Sequence, residues 1–157
     1  SVDLNAVVPL YSRLLTELVA ERIPTLVIRD TPSPIHESHV AEPLDPRCLE
    51  RSGESLSSCR GERSRWEYDD PAITAARELA SPLVSVADLN NYICGPSICH
   101  AIVGGVVVRN DASHLSATYS RTLAPYLKPF VSERLSTSTE GSSVVESQSG
   151  VGKAAGK

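Results

Sequence analysis

An aspartate and a histidine three residues apart, Asp111 and His114, follow the apolar run Val106-Val107-Val108 and precede a stretch with helical periodicity. Folded into a turn, that spacing lets the carboxylate accept the Nδ1 proton of the imidazole. The acceptor fixes the tautomer and leaves Nε2 free as a general base. Seven Asp and four His in 157 residues give about 0.2 such pairs by chance, so the spacing alone carries little weight. Its place in the chain adds weight. Three valines suit a buried strand, and the polar residues after them sit at the strand's carboxyl end, where open parallel sheets bind ligands. The plainer alternative for the pair is a helix N-cap beside a surface histidine.

Two other strand ends read the same way. Arg29-Asp30 follows Thr25-Leu26-Val27-Ile28, and Asp88 follows Leu83-Val84-Ser85-Val86. With residues 109–114 they describe one polar edge, on which Arg29, Asp30 and Asn110 are candidate substrate contacts. Arg29 and Asp30 also fit a simple strand-end ion pair, and Asn110 fits a turn. Ser113, Ser116 and Ser120 lie near His114 in sequence, but a serine so close to its own base rarely reaches the geometry of a nucleophile. His36 and His39 share a loop, and a solvated loop describes them better than a metal pair.

The elements that must position these groups alternate. Residues 5–22 repeat apolar side chains at helical spacing (Val8, Tyr11, Leu14, Leu15, Leu18, Val19), with Pro9 suited to the first turn. Ile23-Pro24 ends that helix and a strand follows over residues 25–28. Residues 30–70 are rich in Pro, Ser, Glu and Arg, without periodicity, and read as a long loop. Trp66, the only tryptophan, reads as a plug holding that loop to the sheet rather than a platform for sugar. Asp69 or Asp70 caps a short helix with Ile73, Ala76, Leu79 and Ala80 on its apolar face, and Pro82 stops it. Gly104-Gly105 leads into the valine strand. A last helix begins near His114, carries Leu115, Tyr119, Leu123 and Tyr126 on one face, and is limited by Pro125. Residues 131–157 are Ser, Thr, Gly and Lys with hardly a core residue, and are expected to be disordered. Helix and strand alternating over long connections imply an α/β fold with a parallel sheet and helices on both faces.

Composition narrows the function classes. The net charge of −4 comes without a basic stripe, which argues against nucleic acid and anionic membranes as partners. No stretch approaches the about twenty apolar residues of a membrane helix. The four cysteines fall into two close pairs, Cys48 with Cys59 and Cys94 with Cys99. Three pairings are open, and the local one needs the least chain closure. Two disulfides imply an oxidising, extracytoplasmic compartment. The alternatives are a zinc site using Cys94, Cys99 and His100, which lacks a C-x2-C knuckle, and free thiols.

The run Asp111-Ala112-Ser113-His114-Leu115-Ser116-Ala117-Thr118-Tyr119, with the paired cysteines, resembles the SGNH hydrolase domain. It is most similar to the extracytoplasmic SGNH domain fused behind the membrane part of acyltransferase-3 proteins, which O-acylate bacterial surface glycans. Val27-Ile28-Arg29-Asp30-Thr31-Pro32 and Asp88-Leu89-Asn90-Asn91-Tyr92-Ile93-Cys94 resemble that family's other signatures, and the likeness spans roughly residues 8–128. It implies a three-layer α/β/α, flavodoxin-like domain over residues 1–130, with His114 as general base and Asp111 as its orienting acid. It implies neither cofactor nor metal. The implied partners are a glycan or acyl-donor substrate and a membrane-embedded acyltransferase domain upstream, which would tether this domain outside the cytoplasm. The family's nucleophile is the serine of a Gly-Asp-Ser on the first strand, and no Gly-Asp-Ser or Gly-x-Ser-x-Gly occurs here. The expectation is therefore a C-terminal part of such a domain, without its first strand and inactive alone. The competing expectations are a disulfide-stabilised binding or interaction domain, or a truncated product without function.

Overall fold

The structure, a computed structural model, describes residues 4–33, 48, 49, 59–111 and 113–146. His36, His39 and most of the expected loop lie outside the described residues. A 3-10 turn, Leu4–Val7, leads into α1, Val8–Ala20, with proline in its first turn as expected. Strand β1, Thr25–Ile28, coincides with the sequence expectation. There follow β2 (Arg60–Glu62), α2 (Arg63–Trp66), α3 (Pro71–Leu79), β3 (Val84–Ala87), a 3-10 turn (Asn90–Tyr92), β4 (Ile98–His100), β5 (Ile102–Val103), β6 (Val106–Val107) and α4 (Ala117–Glu146).

The parallel pair is β1 with β3, in register Thr25 to Val84 through Ile28 to Ala87. Such a pair needs a long crossover, and residues 29–83 supply it with α2 and α3 inside. Val27, Val84 and Val86 pack with Leu15, Leu18, Ala75, Ala76 and Leu79, which seats α1 and α3 against the strands. Helix α4 contacts the same two strands. The fold is thus α/β with a parallel pair flanked by helices, and among the described residues each sheet has two strands. Tyr11 and Leu14, expected on the buried face of α1, are exposed; Leu15 is the fully buried member. Ala80 leaves the apolar face of α3 as well. It takes a left-handed conformation, φ 47°, and ends the helix in solvent.

Three expectations need correction. The valine run does not join the parallel pair. It forms the second arm of a hairpin with β5, turned by Gly104 and Gly105 at φ 57° and 79°. A two-residue turn with both φ values positive needs glycine, and it forces antiparallel pairing. The last helix starts at Ala117 rather than His114, because Leu115 first bridges back to Arg109 and Ser116 caps the Tyr119 N–H at 3.0 Å. It also passes Pro125 and Pro129 and continues to Glu146, beyond the expected onset of disorder at residue 131. Both prolines face solvent, so the carbonyls they leave unpaired can be hydrated. Arg134 ties this extension to the Pro82 carbonyl at 3.0 Å.

The larger core is built around the cysteines. Cys48 is bonded to Cys59 and Cys94 to Cys99. All four are buried together with Trp66, Leu89, Ile93, Ala101, Val108, Tyr119 and Leu123. The disulfides are therefore constituents of the core. Trp66 is 1 % exposed, and its indole lies against Gly61, where a Cβ would come within 2.1 Å of the ring.

Candidate functional site

The loop bearing Asp111 and His114 is closed at its base before either side chain acts. Arg109 and Leu115 form an antiparallel bridge, the Asn110 N–H donates to the His114 carbonyl at 2.9 Å, and the Ser116 N–H donates to the Val108 carbonyl at 2.8 Å. Val108, just past β6, is buried in the core on one side and α4 begins on the other, so the core and a helix hold the two ends. Within the loop Asp111 folds the chain over its own carboxylate. Oδ1 accepts the Ser113 N–H at 2.8 Å and the His114 N–H at 2.7 Å, the usual way an aspartate nucleates a turn.

That turn brings the imidazole onto the carboxylate. His114 Nδ1 lies 2.8 Å from Oδ2 and 3.0 Å from Oδ1 of Asp111. The Ser113 and His114 N–H donors, followed by the imidazole, hold the Asp111 carboxyl far below the usual carboxylate range. A carboxylate acceptor at Nδ1 favours the proton on that nitrogen, and Nε2 keeps its lone pair. The His114 side chain is 77 % exposed, so Nε2 is open to a reacting group. Ser113 Oγ sits 3.2 Å from Nδ1 and 3.3 Å from Asp111 Oδ1, on the side away from Nε2. Ser116 Oγ donates to the Val107 carbonyl and Ser120 Oγ to the Ser116 carbonyl.

The other residues singled out in the sequence lie at the end of β1. Arg29 is not paired with Asp30. Its Nη1 meets Asp88 Oδ2 at 2.9 Å and its Nη2 the Tyr68 carbonyl at 3.3 Å, which locks the ends of β1 and β3 together. Burial alone would raise the Asp88 carboxyl, but the Asn90 N–H and Arg29 outweigh it and keep it below its ordinary value. Arg29 therefore acts on the protein itself. Asp30 is exposed and accepts the Tyr68 hydroxyl at 2.8 Å. Burial and that carboxylate raise the Tyr68 phenol. Asn110 is exposed and enters the loop through its backbone.

Two ends of the expected polar edge do meet, through residues the spacing did not reveal. Next to Asp30, Thr31 Oγ1 lies 3.4 Å from Nη2 of Arg109, and Nη1 of Arg109 donates to the Ser113 carbonyl at 3.1 Å. A buried arginine beside a candidate pair was the available signal, but burial of a single position is not written in a sequence. With both sulfurs in a disulfide, Cys94 and Cys99 cannot serve zinc with His100. Among the described residues no group of three or more His, Cys, Asp and Glu could hold a metal ion. A cavity of about 470 Å³ between α2 and the turn before β4 is lined by Glu62, Arg63, Ser64, Glu67, Pro96, Ser97 and Ile98, and shares no residue with the loop. Among the described residues no helix is long and apolar enough to cross a membrane.

A family model described as "SGNH domain (fused to AT3 domains)" matches residues 4–129. No curated protein and no solved structure matches the chain.

Proposed function

This chain belongs to the family of SGNH domains fused to AT3 domains, and from that premise we propose that it carries the acid–base half of a serine-dependent acyl-transfer site. His114 is the general base and Asp111 its orienting acid. The observation that supports this most is the imidazole's setting, with Nδ1 against an ionised carboxylate and Nε2 facing solvent. In the reaction Nε2 takes the proton of a serine hydroxyl as its oxygen attacks an ester carbonyl. The same proton then passes to the departing alcohol, leaving an acyl-serine. A second hydroxyl, or water, gives its proton to Nε2, attacks the acyl carbonyl, and the serine is regenerated.

The substrates in this reading are acyl groups on hydroxyls of cell-surface glycans, delivered by the membrane-embedded acyltransferase domain to which such domains are fused. Two buried disulfides support an oxidising, extracytoplasmic setting. The chain contains no Gly-Asp-Ser, and the hydroxyls near His114 are bonded to Asp111 and Nδ1 (Ser113) or to backbone carbonyls (Ser116, Ser120). A base without nucleophile and oxyanion donors loses most of its power, so residues 1–157 alone are expected to be inactive. The test is to read the frame upstream of Ser1 for an in-frame Gly-Asp-Ser and to assay the protein that carries it for ester cleavage and acyl transfer. His114→Ala is expected to lower kcat by about a thousandfold or more. Full activity of that variant would overturn the assignment of the base. An upstream frame without such a serine would favour a disulfide-stabilised binding module instead.

A further inference from the structure

Arg109 is 3 % exposed, and among the described residues no carboxylate forms an ion pair with it. Burying a guanidinium in this way is costly. Burial pushes its pKa down to about 10, against the pull of Asp30 and Asp111, so it is still charged at neutral pH. A residue needed only to fill this space would be apolar. The guanidinium instead makes two directed bonds, to the Ser113 carbonyl at 3.1 Å and to Thr31 Oγ1 at 3.4 Å.

The first of these bonds falls at a telling place. The Ser113 carbonyl and the His114 N–H belong to one peptide group, which is planar and cannot twist internally. Arg109 holds its oxygen, and Asp111 Oδ1 holds its N–H at 2.7 Å. With both ends pinned, and the next peptide held by the Asn110 N–H on the His114 carbonyl at 2.9 Å, the direction in which the His114 side chain leaves the backbone is set. The second bond anchors the guanidinium to the residues that follow β1, so the turn cannot drift away from the strand end.

We propose that Arg109 is a positioning residue that clamps the Ser113–His114 peptide and thereby keeps the imidazole on the Asp111 carboxylate. Its catalytic meaning rests on the function proposed above; the clamp itself is a property of this chain alone. Arg109→Met keeps the length of the side chain and removes both bonds together with the buried charge. Amide hydrogen exchange of the full chain is read at His114, and at Leu15, buried in the middle of α1 and outside the Arg109–Thr31–Asp70 chain of contacts, as a distant control. The variant is expected to unfold cooperatively and to exchange the His114 amide about tenfold faster, with Leu15 unchanged. Equal acceleration at both amides would mean general destabilisation and overturn the proposal, as would an unchanged rate at His114. Thr31→Val removes only the anchor and carries the same test if Arg109→Met does not fold. An acceleration of about threefold confined to His114 is expected of it, and no change overturns the clamp.

In the protein carrying a Gly-Asp-Ser, Arg109→Met should lower kcat about ten- to a hundredfold with KM unchanged. If His114→Ala proves active while Arg109→Met still speeds exchange at His114, the clamp stands and the catalytic reading falls. If His114→Ala is inactive and exchange at His114 ignores Arg109, the catalytic reading stands and the clamp falls.

Discussion

Loss of Asp70 should reach both the fold and the site, because its two carboxylate oxygens serve different elements. Oδ1 accepts the Ala72 N–H at 2.8 Å and the Ile73 N–H at 3.3 Å, capping α3. Oδ2 accepts the Asp30 N–H at 2.9 Å and so holds the chain that leads from β1 to Thr31. The side chain is buried, which leaves water little room to take over either task. Asp70→Ala removes a cap worth about 1 kcal/mol and strands a half-buried N–H at about 1–3 kcal/mol more. The expected loss is about 2–4 kcal/mol. Asp70→Asn separates the two roles. Its carbonyl oxygen can still cap α3, but its NH2 group then faces the Asp30 N–H, donor against donor, for a loss of about 1–2 kcal/mol. Urea unfolding followed by circular dichroism and by Trp66 fluorescence gives both numbers, provided the m-value is unchanged. A loss under about 0.5 kcal/mol for Asp70→Ala would refute the reasoning. Equal losses for the two variants would show that the cap contributes nothing.

Three further outcomes follow from single contacts. Gly61→Ala places a Cβ 2.1 Å from the buried Trp66 ring and should cost about 1–3 kcal/mol, lowering Tm by several degrees; an unchanged Tm would mean the ring moves freely. Acid should destabilise the domain. Glu67 is held down by the Arg63 hydrogen bond, Asp88 by Asn90 and Arg29 against its own burial, and Asp111 by the turn it nucleates. Each folded pKa lies below its unfolded value, so the stabilisation is complete above about pH 4 and is lost as pH falls through the lower folded values. Tm should be level from about pH 7 to 5 and decline below about 4, and a Tm that climbed on acidification would reverse the sign. Reduction should lower the urea midpoint by an amount equivalent to about 2–4 kcal/mol per disulfide, and a midpoint indifferent to reductant would contradict their place in the core.

Local signals in the sequence located α1, β1, α3 and β3, gave α4 the wrong ends, misassigned the pairing of the valine run, and did not reveal β2, α2, β4 or β5. Residues 25–28 could be read as a strand because Ile23-Pro24 closes a helix and four β-favouring residues follow. The cap could be narrowed to Asp69 or Asp70 from their position before Pro71, and the structure uses Asp70. The parallel pairing followed from connections too long for a hairpin. The same logic failed at residues 106–108, where Gly104-Gly105 between two apolar pairs was itself the sign of a tight hairpin. At the site, Asp111 and His114 were legible because their contact is local, three residues apart. Arg29 was singled out but not its partner, and Thr31, Tyr68 and Arg109 were not singled out, because the contacts of all four join residues distant in sequence: Asp88, Arg109, Asp30 and Thr31 respectively. Pairing of that kind depends on the register of β1 with β3 and on the burial of residue 109, and neither is a property of a short stretch of chain.

The orientation of His114 can be measured on this chain without any assay of activity. The ¹⁵N shifts of its two ring nitrogens, recorded while the ring is neutral, report which one carries the proton. The account predicts the proton on Nδ1, bonded to Asp111, and its departure from Nδ1 in Asp111→Ala. A proton on Nε2 in the unaltered chain would contradict it, because the nitrogen required as base would already be occupied.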